Sequence, residues 1–532
     1  MQRKYLYSAV ALAAALSSCT GWLDLKPYDG VVEDDYWKTK EDVHSVVIGC
    51  YSSLLNKNMV NNFIYWGEAR ADMIASTSAS GSALLYIMRG EITPENAIVK
   101  WDEFYATINQ CNKVIEKAAL VKEQDQTFND NLYLQYIGEV TAIRSLMYFY
   151  LVRSFKDVPL VLKASDDDTQ DYYYAKTDGG AILDSLILHL ESVLSDLPIA
   201  YDSNDQSKGR ITCWAAMALL ADIYLWQENY EKCSELCTRI IGSGQFSLIP
   251  VSRELVQVLD NASVVVDTVY YANTSDADYL FDQLYIVGNC VESIFELQFP
   301  KQHETLANPF YDLFNSNRPK ITSNDLILDE LVFPESERDK EAEDVRGSSF
   351  SYRGGYLWKY VGTSRSGNIL RTSQEFPHWI VYRYADIILM KAEALNQLGI
   401  RGNSQALLSE AYGLVRQIRE RANAVENSDS DPGTPINGKA LEKLILNERA
   451  RELAFEGKRW YDVLRFARRD SYGVNDENRE YLMQLAINSA PPEKQASLQV
   501  KYTNSWFLYW PIYVNTVEIN KNLIQNEFYL QY

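Results

Sequence analysis

The chain carries few residues whose type and spacing could do chemistry, and these are the place to begin. His44, His189, His303 and His378 stand singly, and none has a second histidine at metal-ligand spacing. Each is read as a surface or structural residue, so no paired-imidazole metal or relay site is expected. Gly362-Thr363-Ser364-Arg365-Ser366-Gly367 has the outline of a nucleophile elbow, but its closing glycine falls one position late and no helix is predicted to follow. Phosphate-cradling and dinucleotide glycine patterns are absent from the sequence. Asn427-Ser428-Asp429-Ser430-Asp431 alternates oxygen donors as a calcium loop does. Pro432, however, stands where that loop needs glycine, and Gly438 where it needs a bidentate glutamate. The 72 acidic residues offer many carboxylate pairs, but Asp166-Asp167-Asp168 and the charged run Glu335 to Arg346 read as solvated loops. With no nucleophile, acid-base pair, metal or cofactor motif to build on, the chain is read as a non-enzyme that requires no cofactor.

Binding a sugar asks for less: planar hydrogen-bonding groups for the polar rim, and aromatic rings against which the C–H faces can stack. Trp66, Arg70, Asp72 and Tyr86 supply both kinds within Asn61 to Pro94, whose Ser/Ala/Gly-rich middle reads as a long loop. Tyr279, Tyr285, Phe310, Tyr311 and Arg318 do so in a second, irregular region. These nine are the candidate ligand contacts, with core packing as the competing role for each.

The elements that must position them are mainly helical. Apolar periodicity predicts helices over Glu41 to Leu55, Lys100 to Ala119, Tyr133 to Ser154, Ile182 to Leu197, Ile211 to Trp226, Tyr230 to Gly242, His378 to Leu398 and Ser404 to Ala422. In Cys213 to Gly242 small residues (Ala215, Ala216, Ala218, Ala221) alternate with Tyr224 and Tyr230, as in a tetratricopeptide-like hairpin. From about 246 to 377 the periodicity weakens and turn residues multiply, with strands predicted at Ser293 to Phe299 and Tyr356 to Val361. Asp470 to Val500 is polar and expected on the surface.

Composition narrows the function class. A chain with 47% hydrophobic and 23% charged residues is expected to fold into a packed body. A formal net charge of -21 disfavours nucleic acid, anionic membranes and anionic ligands. At the N-terminus, Arg3 and Lys4 precede an apolar run to Leu16 that is too short to span a bilayer. It ends in Leu16-Ser17-Ser18-Cys19, which resembles a bacterial lipobox. The expectation is a signal peptide over 1–18, lipidation at Cys19 and anchoring to a membrane by lipid alone. Cys233 and Cys237, four apart on one helical face, are read as small buried apolar residues.

Two helical runs, Tyr382 to Leu395 and Asn447 to Phe466, organise the C-terminal half. In the second, Glu448/Arg451, Arg449/Glu452, Glu456/Arg459 and Asp462/Arg465 stand three apart, where side chains on one helix meet, and Gly457 divides the run in two. Both runs resemble signatures of the SusD-like (RagB/SusD) outer-membrane nutrient-binding lipoproteins. Ala142 to Phe149 (Ala-x-Arg-x-Leu-x-Tyr-Phe) is similar to a recurrent helix of that family. The tail resembles its C-terminal pattern through Pro511-Ile512, Glu518-Ile519, Asn522, Gln525-Asn526 and Tyr529, departing from it at Tyr513, Leu523, Glu527 and Phe528.

The resemblance implies a mainly α, tetratricopeptide-like helical-pair scaffold with a loop-rich irregular region containing a few short strands. It implies one domain over 19–532, with scaffold at about 34–245 and 378–469, the ligand region at about 246–377 and a tail at 500–532. It further implies a cell-surface, outer-membrane protein that binds oligosaccharide and hands it to a SusC-like TonB-dependent transporter. A peptide-capturing member of the same scaffold and a surface glycoside hydrolase stand as the alternatives.

Overall fold

The computed structural model describes residues 36–165, 172–260, 262–299, 309–315, 318–372, 377–428, 431–469 and 477–531. The expected signal segment, Cys19, His303 and Asp166-Asp167-Asp168 lie outside them.

The N-terminal half is a stack of helices: α1 (Lys40–Leu54), α2 (Lys57–Glu68), then β1 (Ile74–Ser76), α3 (Gly81–Met88), α4 (Asp102–Gln124), α5 (Asp130–Phe155), α6 (Gly179–Val193), α7 (Cys213–Trp226) and α8 (Tyr230–Gly242). Local chemistry sets their starts. Thr39 and Asp42 form a reciprocal capping box on α1, and the side chains of Asn129, Thr212 and Asn229 each accept a backbone N–H in the first turn of α5, α7 and α8. The helix expected over Tyr133 to Ser154 is not amphipathic in its second half: from Gly138 to Phe155 every residue of α5 is buried, because α4, α6 and α7 surround it.

The chain then runs through the hairpin β2 (Arg253–Leu259) and β3 (Val265–Ala272), α9 (Thr274–Phe281), β4 (Ser293–Leu297) and β5 (Ile321–Ser323) to β6 (Trp379–Arg383). Three two-stranded antiparallel pairs form: β1 with β5, β2 with β3, and β4 with β6. The β4–β6 pair is buried along its whole length. Among the described residues, π-helical turns stand at Asp282–Val287, Tyr311–Asn315 and Leu328–Val332, all in this irregular region. Two expectations change here. Trp358–Val361 is a helical turn and not a strand, and the helix expected from His378 begins only after β6. Asp344 and Arg346, at the end of the charged run, are buried and paired at Nη2 to Oδ2, 2.6 Å.

Helices resume with α10 (Tyr384–Arg401), α11 (Gln405–Arg421), α12 (Gly438–Glu452), α13 (Arg459–Arg468), α14 (Glu477–Asn488) and α15 (Pro492–Lys501). Residues 477–501, expected as a polar excursion, are therefore two helices, with Leu482 and Ile487 of α14 in the core. Among the described residues the tail carries two short 3-10 turns, Ser505–Leu508 and Glu527–Tyr529, a short helix, Val514–Ile519, and no strand.

Helices pair as neighbours in sequence and then across: α4 with α5, α7 with α8, α10 with α11, and α8 against α10. This is the helical-pair architecture of tetratricopeptide-like folds. Small residues permit the cross-pairing: Cys233 and Cys237 are fully buried on the α8 face, with the Cys233 thiol 4.0 Å from the Met390 carbonyl of α10. Among the described residues the six cysteines are free and buried. No helix among the described residues is long and apolar enough to cross a membrane.

Candidate functional site

The run from Asn447 to Phe466 divides at Gly457 as its sequence predicts, but its charges reach outward more than along the helix. Glu448 does meet Arg451 (3.3 Å), and Asp462 meets Arg465 (2.8 Å). Arg449 instead pairs with Asp386 of α10 and Asp462 (both 2.9 Å), and Arg459 pairs with Asp72 through two bonds of 2.9 Å. Glu456 takes the Nε of Arg383 (3.0 Å) and the Nζ of Lys359 (3.1 Å). The reason is burial: every side chain from Glu448 to Glu452 is enclosed, so each charge bonds whichever opposite charge the neighbouring elements bring. Glu452 shows the result. Burial alone would raise its pKa, but Arg421, Arg383 and Arg346 around it prevail and hold it well below the usual carboxylate range. The charges around Glu452 and Arg449 join β6, α10, α11, α12 and α13 and are scaffold.

The guanidinium of Arg70 lies 4.4 Å over the Trp460 ring, and the Tyr461 hydroxyl bonds the Ser154 hydroxyl at 2.8 Å.

The nine candidate contacts separate into two groups. Asn61 to Pro94, expected as a loop, folds into the end of α2, then β1 and α3, and this encloses three of them. Trp66 is fully buried, donating to the Ile98 carbonyl at 2.8 Å and stacking on Phe104 with centroids 4.6 Å apart. Arg70 is buried and donates to the carbonyls of Leu508 (2.8 Å) and Phe507 in the tail. Asp72 has both carboxylate oxygens on Arg459. Tyr285 is buried with its hydroxyl on Glu456 (3.1 Å), and burial raises its pKa far above the ordinary tyrosine value. Phe310 is buried among Phe314, Tyr360 and Trp379, with centroids 4.9 Å from Tyr360 and 5.8 Å from Trp379. In this structure these five face the protein. Tyr86, Tyr279, Tyr311 and Arg318 are exposed, the tyrosines by 47%, 56% and 37%.

Backbone pairing ties the segments carrying those four into one loop cluster. β1 lies antiparallel to β5, with Ile74 opposite Ser323 and Ser76 opposite Ile321. Just past β1, the hydroxyls of Thr77 and Ser80 donate to the carbonyls of Pro319 and Lys320, and the Lys320 N–H donates to the Leu313 carbonyl at 2.8 Å. The start of α3 therefore sits beside the Tyr311–Asn315 turn. On the other side of β5, the Thr322 hydroxyl and the Ser323 N–H both donate to the Gly355 carbonyl. Gly354 and Gly355 have φ of 54° and 83°, left-handed values that glycine adopts readily. Arg353 lies 4.2 Å over the Trp358 ring and donates to the carbonyls of Arg365 and Gly367. Arg365 and Ser366 in turn bond Asp278 of α9, at 3.5 and 3.3 Å.

Residues 300–529 match the model of the SusD family, and residues 21–225 match one described as starch-binding associating with outer membrane. The chain belongs to the SusD family. A SusD-like protein of Formosa agariphila is 28% identical to it, over 85% of this chain and 88% of that protein. In fold, it is similar to a SusD superfamily protein of Bacteroides vulgatus, with a TM-score of 0.69, 21% identity, and coverage of 93% of this chain and 100% of the other. A solved structure named as a laminarin-binding SusD-like protein matches with a TM-score of 0.62 at 19% identity, covering 92% of this chain and 100% of that one.

Within this SusD-family scaffold, Arg353, Trp358 and Asp278 brace the loop cluster with no part in the sequence reading, and Ser366, weighed there only within a nucleophile-elbow outline, braces it too. The Gly354-Gly355 pair was the available signal, since adjacent glycines next to an arginine mark a backbone bend that something must hold. In the calcium-like segment Asn427 donates to the Glu335 carbonyl, Ser428 to the Val425 carbonyl, and Asp431 accepts the Gly433 N–H, while Asp429 and Ser430 lie outside the described residues.

Proposed function

We propose that this protein is a lipid-anchored outer-membrane receptor that captures an oligosaccharide on the cell surface, without cleaving it, and delivers it to a SusC-like TonB-dependent transporter. Residues from Cys19 onward act as one domain in this reading. The observation that carries it is the loop cluster: exposed tyrosines at 86, 279 and 311 and an exposed Arg318, presented on segments cross-braced to a packed aromatic interior. Flat rings held at low entropic cost suit the C–H faces of sugars, and a guanidinium suits their hydroxyls. The outer-membrane association described for the matched family and a laminarin-binding neighbour of the same fold support the class of ligand and the location. Lipidation at Cys19 would hold the receptor over the transporter mouth and raise its effective concentration there.

Isothermal titration with neutral polysaccharides tests the site. Tyr279→Ala and Tyr311→Ala are each expected to weaken binding by about tenfold, the equivalent of losing one ring-stacking contact. Unchanged affinity in the double variant would refute the loop cluster as the site.

A further inference from the structure

A cavity of about 280 Å³ lies between the Leu328–Val332 turn, α12, the start of α13 and α14, and none of the exposed tyrosines lines it. Its depth is defined by Arg459 and Asp72. The carboxylate of Asp72 engages Nε and Nη2 of Arg459, while Nη1, on a side chain 4% exposed, has no acceptor among the described residues. The Tyr481 hydroxyl of the same lining bears on the guanidinium, and an oxygen brought into the cavity would find Nη1 a ready donor.

The walls indicate what carries that oxygen. Tyr481, Leu485 and Asn488 turn one face of α14 into the cavity at helical spacing, while Leu482, Ala486 and Ile487 hold the core face. That face is mixed where a packing face would be apolar. The Tyr481 hydroxyl donates to Asn447 Oδ1 at 3.2 Å, and Leu331, 66% exposed, stands at the rim. The lining carries Arg459 and Arg451 against one carboxylate, Asp72, but Arg451 is engaged by Glu448 behind the wall and by the carbonyls of Val332 and Ser428. The chain's formal charge of -21 further disfavours an anion. The volume far exceeds one water and stands near the lower end of ligand pockets, about 300 Å³.

We propose that this cavity is a second binding site, which takes one neutral sugar ring with an oxygen on Arg459 Nη1 and the ring between Leu331 and the α14 face. The proposal draws on the glycan-receptor reading only for the choice of sugar as the ligand class. Saturation-transfer NMR of the purified chain with methyl β-glucopyranoside, methyl β-galactopyranoside and methyl α-mannopyranoside, and with glucuronate as the anionic counterpart, tests it. At least one neutral pyranoside is expected to show transfer, weakened by about tenfold or more in Leu331→Trp, which fills the mouth from an exposed position. The same signal is expected to persist in the Tyr279→Ala/Tyr311→Ala variant, so failure of the loop-cluster site and failure of this one are distinguishable. Absence of transfer from all three neutral rings, a stronger signal from glucuronate, or a signal unaffected by Leu331→Trp would each overturn it.

Discussion

Glu68 gives the sharpest physical test of the interior. It ends α2, is 1% exposed, and accepts the Lys458 N–H through Oε1 at 3.1 Å, while Oε2 has no partner among the described residues. Burial pushes its pKa up to about 8; the backbone N–H groups of Lys458, Arg459 and Gly457 offset only part of this, and nearby Asp72 adds to the rise. In the unfolded chain the same group titrates at its ordinary value of 4.5. The folded state therefore binds about one more proton between these two values, and stability falls as pH rises. The stabilisation is fully present below pH 4.5 and is lost as pH climbs through about 8. At about 1.4 kcal/mol per pH unit the total approaches about 5 kcal/mol. Glu68→Gln keeps the acceptor for Lys458 and cannot ionise. Urea unfolding of both proteins across the range should give a difference curve that is flat below pH 4.5, rises in favour of the variant by about 1.4 kcal/mol per unit, and levels off above about 8. A flat difference throughout, or a slope of opposite sign, would refute the argument that burial keeps this carboxyl neutral.

Other consequences follow from the same packing. Glu452→Gln leaves Arg346, Arg383 and Arg421 short of a shared carboxylate and is expected to lower stability by about 3–5 kcal/mol, read from the urea midpoint. Because Glu393, buried but surrounded by Arg465 and Arg469, is held down at about 2, its contribution is present above the ordinary value of 4.5 and is lost as pH falls through about 2. Together with Glu68, this predicts maximal stability on the acid side of neutrality, and a melting-temperature profile peaking at alkaline pH would contradict it. Gly67→Ala would set a Cβ 1.9 Å from the Gly457 carbonyl oxygen, so a loss of about 3 kcal/mol is expected in the same unfolding measurement. Trp66→Ala should destabilise by about 3–5 kcal/mol while leaving glycan affinity unchanged, as measured by thermal unfolding and calorimetry on the same sample.

The comparison of sequence with structure turns on burial. Helical periodicity located α8 to the residue, because its apolar positions repeat on one face and Asn229 caps it. Where a helix is enclosed on all sides the pattern loses its meaning, as in the second half of α5. The same applies to the pairings of Arg449 with Asp386, Glu452 with Arg383 and Arg459 with Asp72, whose partners stand 63, 69 and 387 residues away. Within the candidate site, residue type alone could not separate Trp66, which fills the core, from Tyr86, which faces solvent. Both sit in a stretch whose glycine and serine content suggested loop. The joining of α3 to the Tyr311 segment was also beyond reach, since it depends on three-residue strands, β1 and β5, too short to show alternation.

Calorimetric titration of the purified chain against a panel of neutral polysaccharides and peptides, with product analysis of the same mixtures, tests the receptor reading most directly. The account predicts saturable binding of a glycan with no new reducing ends, weakened in the Tyr279→Ala/Tyr311→Ala variant. Release of cleaved sugar, or binding of peptides and of no glycan, would contradict it.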